Sequence, residues 1–264
     1  MELLTPTTLD YFEGLDMGQD IRHDHLPFPM PNRPHALVQE WRNLTFLHWE
    51  VDIDKLRPHI PEGLEIDLFQ GKAFVGTIPF VMKNVRPRLL PSVPGISTFP
   101  EFNIRTYVKK NGKAGVLFIT LDAQSRITCW HAPRTYGLPY RYAKCRLAVN
   151  DDVFSWKSRR SSDGAELEGE CRAIGKETQA AKGSIEEFLF ERYSLYTSHK
   201  GSLNMAYTQH NPWTYREGEA TITKNSLTES YDLGIDVLQP DYTHVSEGVY
   251  AVSYTHLRAH ETRH

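Results

Sequence analysis

The segment Phe99–Lys144, FPEFNIRTYVKKNGKAGVLFITLDAQSRITCWHAPRTYGLPYRYAK, constrains this chain more than any other stretch. Glu101, Asn103, Arg105 and Tyr107 occupy alternate positions, and alternate side chains of a strand share one face. A face carrying Glu, Asn, Arg and Tyr is no ordinary hydrophobic core. It is either solvated or lines a polar cavity, while Phe102, Ile104 and Val108 supply packing on the other side. Next comes Lys110-Asn111-Gly112-Lys113, and Asn-Gly between alternating residues is the strongest short hairpin signal.

Similar aromatic and β-branched runs recur along the chain. Strands are expected over 36–51, 64–69, 73–85, 98–109, 114–121, 140–149, 153–160 and 165–174, and again over 195–198, 203–209, 215–228 and 247–251. Asp52 is expected to cap a short helix, Asp122 another over 123–132, and Ser184 a third, SIEEFLFER, with Glu187 completing a capping box. The fold class is therefore mainly β (α+β), one domain over 35–251 with a few short helices and no repeat or linker. Residues 1–34, rich in Pro, Asp and His, read as a poorly ordered or wrapping arm. The proline-rich RPRLLPSVPG is long enough to act as a cover.

Charge excludes some functions. A net charge of -3 and a pI near 6.5 argue against a nucleic-acid surface. No apolar run approaches the ~18 residues a spanning helix needs, and the acidic N-terminus lacks the pattern of a secretion signal. Cys129, Cys145 and Cys171 form no CxxC pair, so free thiols in a reducing cytoplasm are expected.

Val252–Thr262, VSYTHLRAHET, resembles one reading frame through a common sequencing adapter. Residues 252–264 are accordingly expected to be no part of the natural chain, and His256, His260 and His264 no metal cluster. Elsewhere His23, His25, His48, His59, His131, His199, His210 and His244 show no HxxxH, HExxH or HxH on a plausible strand, so no metal site is expected. GxSxG, GxGxxG and P-loop motifs are missing, which removes the usual signals for serine hydrolysis and nucleotide binding, and no cofactor is expected.

Eight blocks in order, WRNLTFLHWEV, HIPEGLEID, TIPFVM, FPEFNIRTYV, GVLFITLDA, LPYRYA, FLFERYSLY and HNPW, resemble the uncharacterised bacterial YqjF-like family over residues 34–251. That family is similar in turn to the acetoacetate decarboxylase-like superfamily, which implies a twisted, cone-shaped antiparallel β barrel enclosing a ligand cavity. In decarboxylases of that kind a lysine forms a Schiff base, and a neighbouring lysine lowers its pKa. PRTYGLPYRYAK resembles their lysine segment, but Tyr140 and Arg141 stand where the two lysines would be. Glu101 matches their glutamate and Arg42 their first-strand arginine. Tyrosine forms no imine and arginine stays protonated, so Schiff-base decarboxylation is not expected. Lys144, on the same strand face as Tyr140, is the remaining lysine near that segment.

The candidate catalytic residues are thus Glu101, as proton carrier, and Tyr140, as donor to a developing oxyanion. Asn103, Arg105 and Arg141, with Arg42, are candidates for holding a small carboxylate or keto acid. Arg192, within Glu191-Arg192-Tyr193, is expected to close the cavity from the opposite end. Each has a structural alternative: an ion-pair network filling the interior, or an arginine at a helix C-terminus. The expected partner is a small carboxylate, with no nucleic acid and no membrane, and the sequence leaves room for a homo-oligomer.

Overall fold

The computed structural model describes residues 21–254 and 257–258. The strands are β1 (Leu37–Val51), β2 (Glu65–Ile66), β3 (Ala73–Pro87), β4 (Phe99–Lys110), β5 (Lys113–Ala123), β6 (Tyr140–Asn150), β7 (Val153–Arg160), β8 (Glu166–Gln179), β9 (Ser194–His199), β10 (Ser202–His210), β11 (Thr214–Lys224), β12 (Tyr242–Ser253) and β13 (Leu257–Arg258). Short helices α1 (Ile53–Leu56), α2 (Arg126–Tyr136), α3 (Ile185–Phe190) and α4 (Ser226–Glu229) interrupt them. Pairing runs β5-β6-β7-β8-β11-β12-β1-β3-β4 and returns to β5, so the sheet closes into a circuit. Closure leaves none of these nine strands with a free edge, where stray strands would otherwise pair. Strands β10 and β9 form a second bridge from β12 to β5.

The β4–β5 hairpin follows the sequence expectation. Lys110 faces Lys113 in the ladder, with Asn111 at φ 51° and Gly112 at φ 74°, the left-handed pair of a type I′ turn. The next connection departs from an antiparallel meander. β6 runs parallel to β5, Leu121 opposite Tyr140, and β9 is also parallel to β5. Parallel neighbours need a crossover, and α2 provides it. That helix begins later than Asp122 suggests: Ser125 Oγ accepts the Thr128 N–H at 3.3 Å, while Asp122 stays in β5. There its carboxylate is fully buried, and Arg160 Nε reaches both oxygens at 3.1 Å.

Two cores result. One gathers Leu47, Trp49, Phe102, Ile104 and Trp156; the other gathers Phe46, Phe74, Phe99, Tyr107 and Phe190. A bulge in β1 sets which side chains reach the second. Asn43 sits at φ 55°, and the β1–β3 register shifts between Arg42 and Leu47, so Trp41 and Phe46 share a side despite their odd spacing. Opposite Arg42 lies Gly248 at φ 118°, where a Cβ would fall 1.8 Å from the Trp41 carbonyl oxygen. No side chain fits there.

The described part of the arm wraps the sheet. Arg22 N–H donates to Asn211 Oδ1 at 2.8 Å, and Ile21, Phe28 and Met30 pack on the first core. At the other end β12 continues two residues past Ala251, with Val252 opposite Val38, and the buried Tyr254 hydroxyl donates to Gln209 Oε1 at 3.1 Å. Residues 1–20 and His256, His260 and His264 lie outside the described residues. No described helix is long and apolar enough to cross a membrane.

Candidate functional site

The parallel crossover brings Tyr140 to Glu101. In the ladders Glu101 faces Ala123, and Leu121, two residues back on β5, faces Tyr140. The Tyr140 hydroxyl donates to Glu101 Oε2 at 2.7 Å. Glu101 is 2% exposed, and burial pushes its carboxyl up to about 7, against the opposing hydrogen bonds of Tyr140 and Asn103. The negative Asp122 adds to the rise. Burial and Glu101 together hold the Tyr140 phenol well above its usual value, so it stays a donor. Asn103 is buried beside them and its Oδ1 has no hydrogen-bond partner. Cys129 lies against this group, its thiol pushed up to about 11 by burial and the neighbouring carboxylates.

Further along the same face is a second polar group. His48 Nε2 lies 2.7 Å from the Tyr107 hydroxyl, which in turn donates to the Leu189 carbonyl at 3.0 Å. The phenol has one proton for His48 Nε2 and the Leu189 carbonyl, which Arg105 Nη2 also serves, and the buried His48 Nδ1 has no partner. Burial, helped by Arg105 and His244, holds His48 well below the usual imidazole range, so the ring is neutral. The ring lies so close to β3 that a Cβ on Gly76 would come within 2.6 Å of it.

Arg105 extends into this second group, its Cζ 5.7 Å from the centres of the Phe46 and Tyr107 rings. Its Nη2 donates to the Leu189 carbonyl at 2.9 Å, and its buried Nε has no partner. No carboxylate pairs with Arg105 among the described residues. Arg192 differs: its Nη1 is 2.7 Å from Asp67 Oδ2, and its Nε donates to the Phe188 carbonyl at the end of α3. It therefore does bind the helix terminus, while its guanidinium also covers the Tyr107 ring at 5.0 Å.

The structure thus joins Glu101, Asn103 and Tyr140, and places Arg105 and Arg192 around Tyr107. It does not bring in Arg42 or Arg141. Arg42 is bound by Glu40 at 2.7 Å, on the opposite side of β1 from Trp41. Arg141 follows Tyr140 on the strand and so points the other way, half-exposed, 3.4 Å from Asp163. Lys144 is exposed, and none of the described lysines is buried. The sequence reads His48 as a core or rim histidine and puts Tyr107 on the polar face, but gives neither their pairing nor the Leu189 carbonyl. The signal for His48 was its place two residues after Phe46 on one strand face. A cleft of about 760 Å³ lies elsewhere, lined by Pro100, Cys145, Trp156, Lys157, Glu168 and Thr221.

Solved structures share this architecture. An acetoacetate decarboxylase from Legionella pneumophila superposes with a TM-score of 0.60 at 14% identity, covering 89% of this chain and 92% of that one. An acetoacetate decarboxylase-like enzyme from Sphingomonas wittichii gives 0.61 at 13%, covering 89% and 98%. The enduracididine biosynthesis enzyme MppR, complexed with pyruvate, gives 0.55 at 14%, covering 91% and 98%. At such identities the likeness establishes the fold. The protein YqjF of Bacillus subtilis is 36% identical over 212 residues, 80% of this chain and 88% of that protein. Residues 38–250 match the DUF2071 family, described as an uncharacterised conserved protein, and the chain belongs to that family.

Proposed function

We propose that the polar interior binds a small carboxylate or keto acid, with Arg105 on the carboxylate and Glu101 as the group that gives and takes a proton. The observation that carries this reading is the guanidinium of Arg105, set between aromatic walls with an unpartnered Nε and no acidic neighbour. Inside a protein such a cation is costly unless an anion pairs with it, and a carboxylate matches its fork. Arg160 and Arg192 each already have that anion in Asp122 and Asp67. Glu101, with a pKa near 7, is half-protonated at neutral pH and suits general acid–base work. Tyr140 supplies a proton-bearing donor beside it, and Asn103 a free acceptor between the two groups. The chemistry is lysine-independent. A relative by fold, MppR, was solved with pyruvate, which supports the choice of keto acids as first probes.

A second reading is a non-catalytic protein whose interior is a satisfied polar network. The bonds of Tyr140 to Glu101 and of Arg105 to the Leu189 carbonyl favour it. A thermal-shift screen against small carboxylic and keto acids separates the two. A ligand at ~100 times its dissociation constant adds about 2.7 kcal/mol, roughly 5–10 °C for this size. A shift of that order, lost in Arg105→Gln, supports a ligand site; a flat screen on folded protein supports the network.

A further inference from the structure

We propose that Glu186, Glu217 and His244 form a mononuclear site for a divalent transition-metal ion of the zinc type. The three come from α3, β11 and β12, and one ligand atom from each lies within 4.8 Å of the other two. Glu217 faces His244 across the β11–β12 ladder, its Oε2 3.5 Å from His244 Nε2, and Glu186 Oε1 approaches the same nitrogen at 4.0 Å. None of these residues is within reach of any other through its own sequence spacing, which is why motif searching passes over them.

Two observations distinguish the group from a chance acidic patch. The His244 side chain is 2% exposed and fixed edge-on between Phe190 and Tyr215, with Nε2 aimed at both carboxylates. Its other nitrogen, Nδ1, is buried without a partner, so no second hydrogen bond explains the ring's orientation. The carboxylates, moreover, converge without a lysine or arginine: His244 is the only ion-pair partner of either among the described residues. Glu217 is 59% exposed and free to swing into water, yet it lies against the imidazole.

A cation at the centre accounts for this geometry. Imidazole nitrogen with two carboxylate oxygens is a mixed donor set suited to Zn²⁺, Co²⁺ or Mn²⁺. Metal–ligand bonds near 2.0–2.2 Å require the oxygens to close by about 1 Å, which rotation of the exposed Glu217 permits. Three protein ligands would leave at least one position for water on the open side of Glu217.

The test uses the full chain, stripped with a chelator and titrated calorimetrically with Zn²⁺, then with Co²⁺ to follow its visible absorption. The proposal expects a site of one ion per chain whose affinity falls at least about tenfold in both Glu217→Gln and Glu186→Gln. Both side chains reach solvent, so these variants keep the fold; His244→Ala should lose the site entirely. Absence of binding overturns the proposal. So does tight binding that persists unchanged in the two glutamine variants, because the metal would then sit on other histidines, such as His23 and His25 or those of the tail.

Discussion

Tyr140 donates its hydroxyl to Glu101 Oε2 at 2.7 Å across an intervening strand, a contact that exists because β6 lies parallel to β5. The carboxyl at the receiving end is protonated more readily than a free glutamic acid, with a folded value of about 7 against 4.5. The folded state therefore prefers the acid form. This preference stabilises fully below pH 4.5 and is lost as pH rises through 7. Its size is about 3 kcal/mol, from the pKa difference. Glu101→Gln, which mimics the neutral form, should be more stable than wild type at pH 8 and nearly equal to it at pH 4.5. Urea unfolding at four pH values between these limits checks the trend. Equal loss of stability at every pH would contradict it.

Removing the donor moves the same titration. The Tyr140 hydrogen bond favours the carboxylate, so Tyr140→Phe should raise the Glu101 midpoint above 7. The cost in stability should be about 1 kcal/mol, largest at alkaline pH. Carbon-13 NMR of the glutamate carboxyls in both proteins reports that midpoint directly.

The Asp122–Arg160 pair gives a contrasting result. Both side chains are 2% exposed or less, and Arg160 also reaches Thr120 Oγ1 at 3.2 Å. Arg160→Met leaves a buried charge alone, which costs about 3–5 kcal/mol, roughly 10 °C in Tm for a chain of this size. Adding Asp122→Leu should recover much of the loss. Thermal unfolding of the single and double variants measures both, and additive losses would show that the pair is not a coupled unit.

At Gly248 the backbone itself is the constraint. A methyl group there meets the Trp41 carbonyl at 1.8 Å, so Gly248→Ala must open the β1–β12 ladder beside the bulge. We expect a loss of at least about 3 kcal/mol, well beyond an ordinary surface change. Chemical denaturation of the purified variant is the check.

Local features of this fold are legible in the amino-acid sequence. The period-two pattern of β4 correctly puts Glu101, Asn103, Arg105 and Tyr107 on one face, because side-chain direction in a strand is local. The Asn111-Gly112 turn and the Ser184 cap are local too, and both stand where expected. What sequence does not disclose is non-local. Asp122 has a good cap residue's chemistry, but its carboxylate is taken by Arg160, 38 residues on. β6 pairs parallel to β5 after the crossover through α2, a relationship no local residue pattern marks. Arg42 and Arg141 have the right chemistry for a carboxylate, yet Glu40 and Asp163 already hold them. Three dispersed ligands such as Glu186, Glu217 and His244 meet only once the sheet has closed.

Whether Arg105 holds a carboxylate is decided by calorimetric titration of the protein with pyruvate at pH 6.5, repeated on Arg105→Gln, Arg42→Gln and Arg141→Gln. We expect saturable binding that Arg105→Gln abolishes. The other two arginines are paired at the surface, and their variants should stay within about twofold, since changes away from a site shift free energy by less than ~0.5 kcal/mol. Binding that survives Arg105→Gln, or no binding of pyruvate or of any acid from the screen to well-folded protein, would contradict the ligand site and leave the interior a structural network.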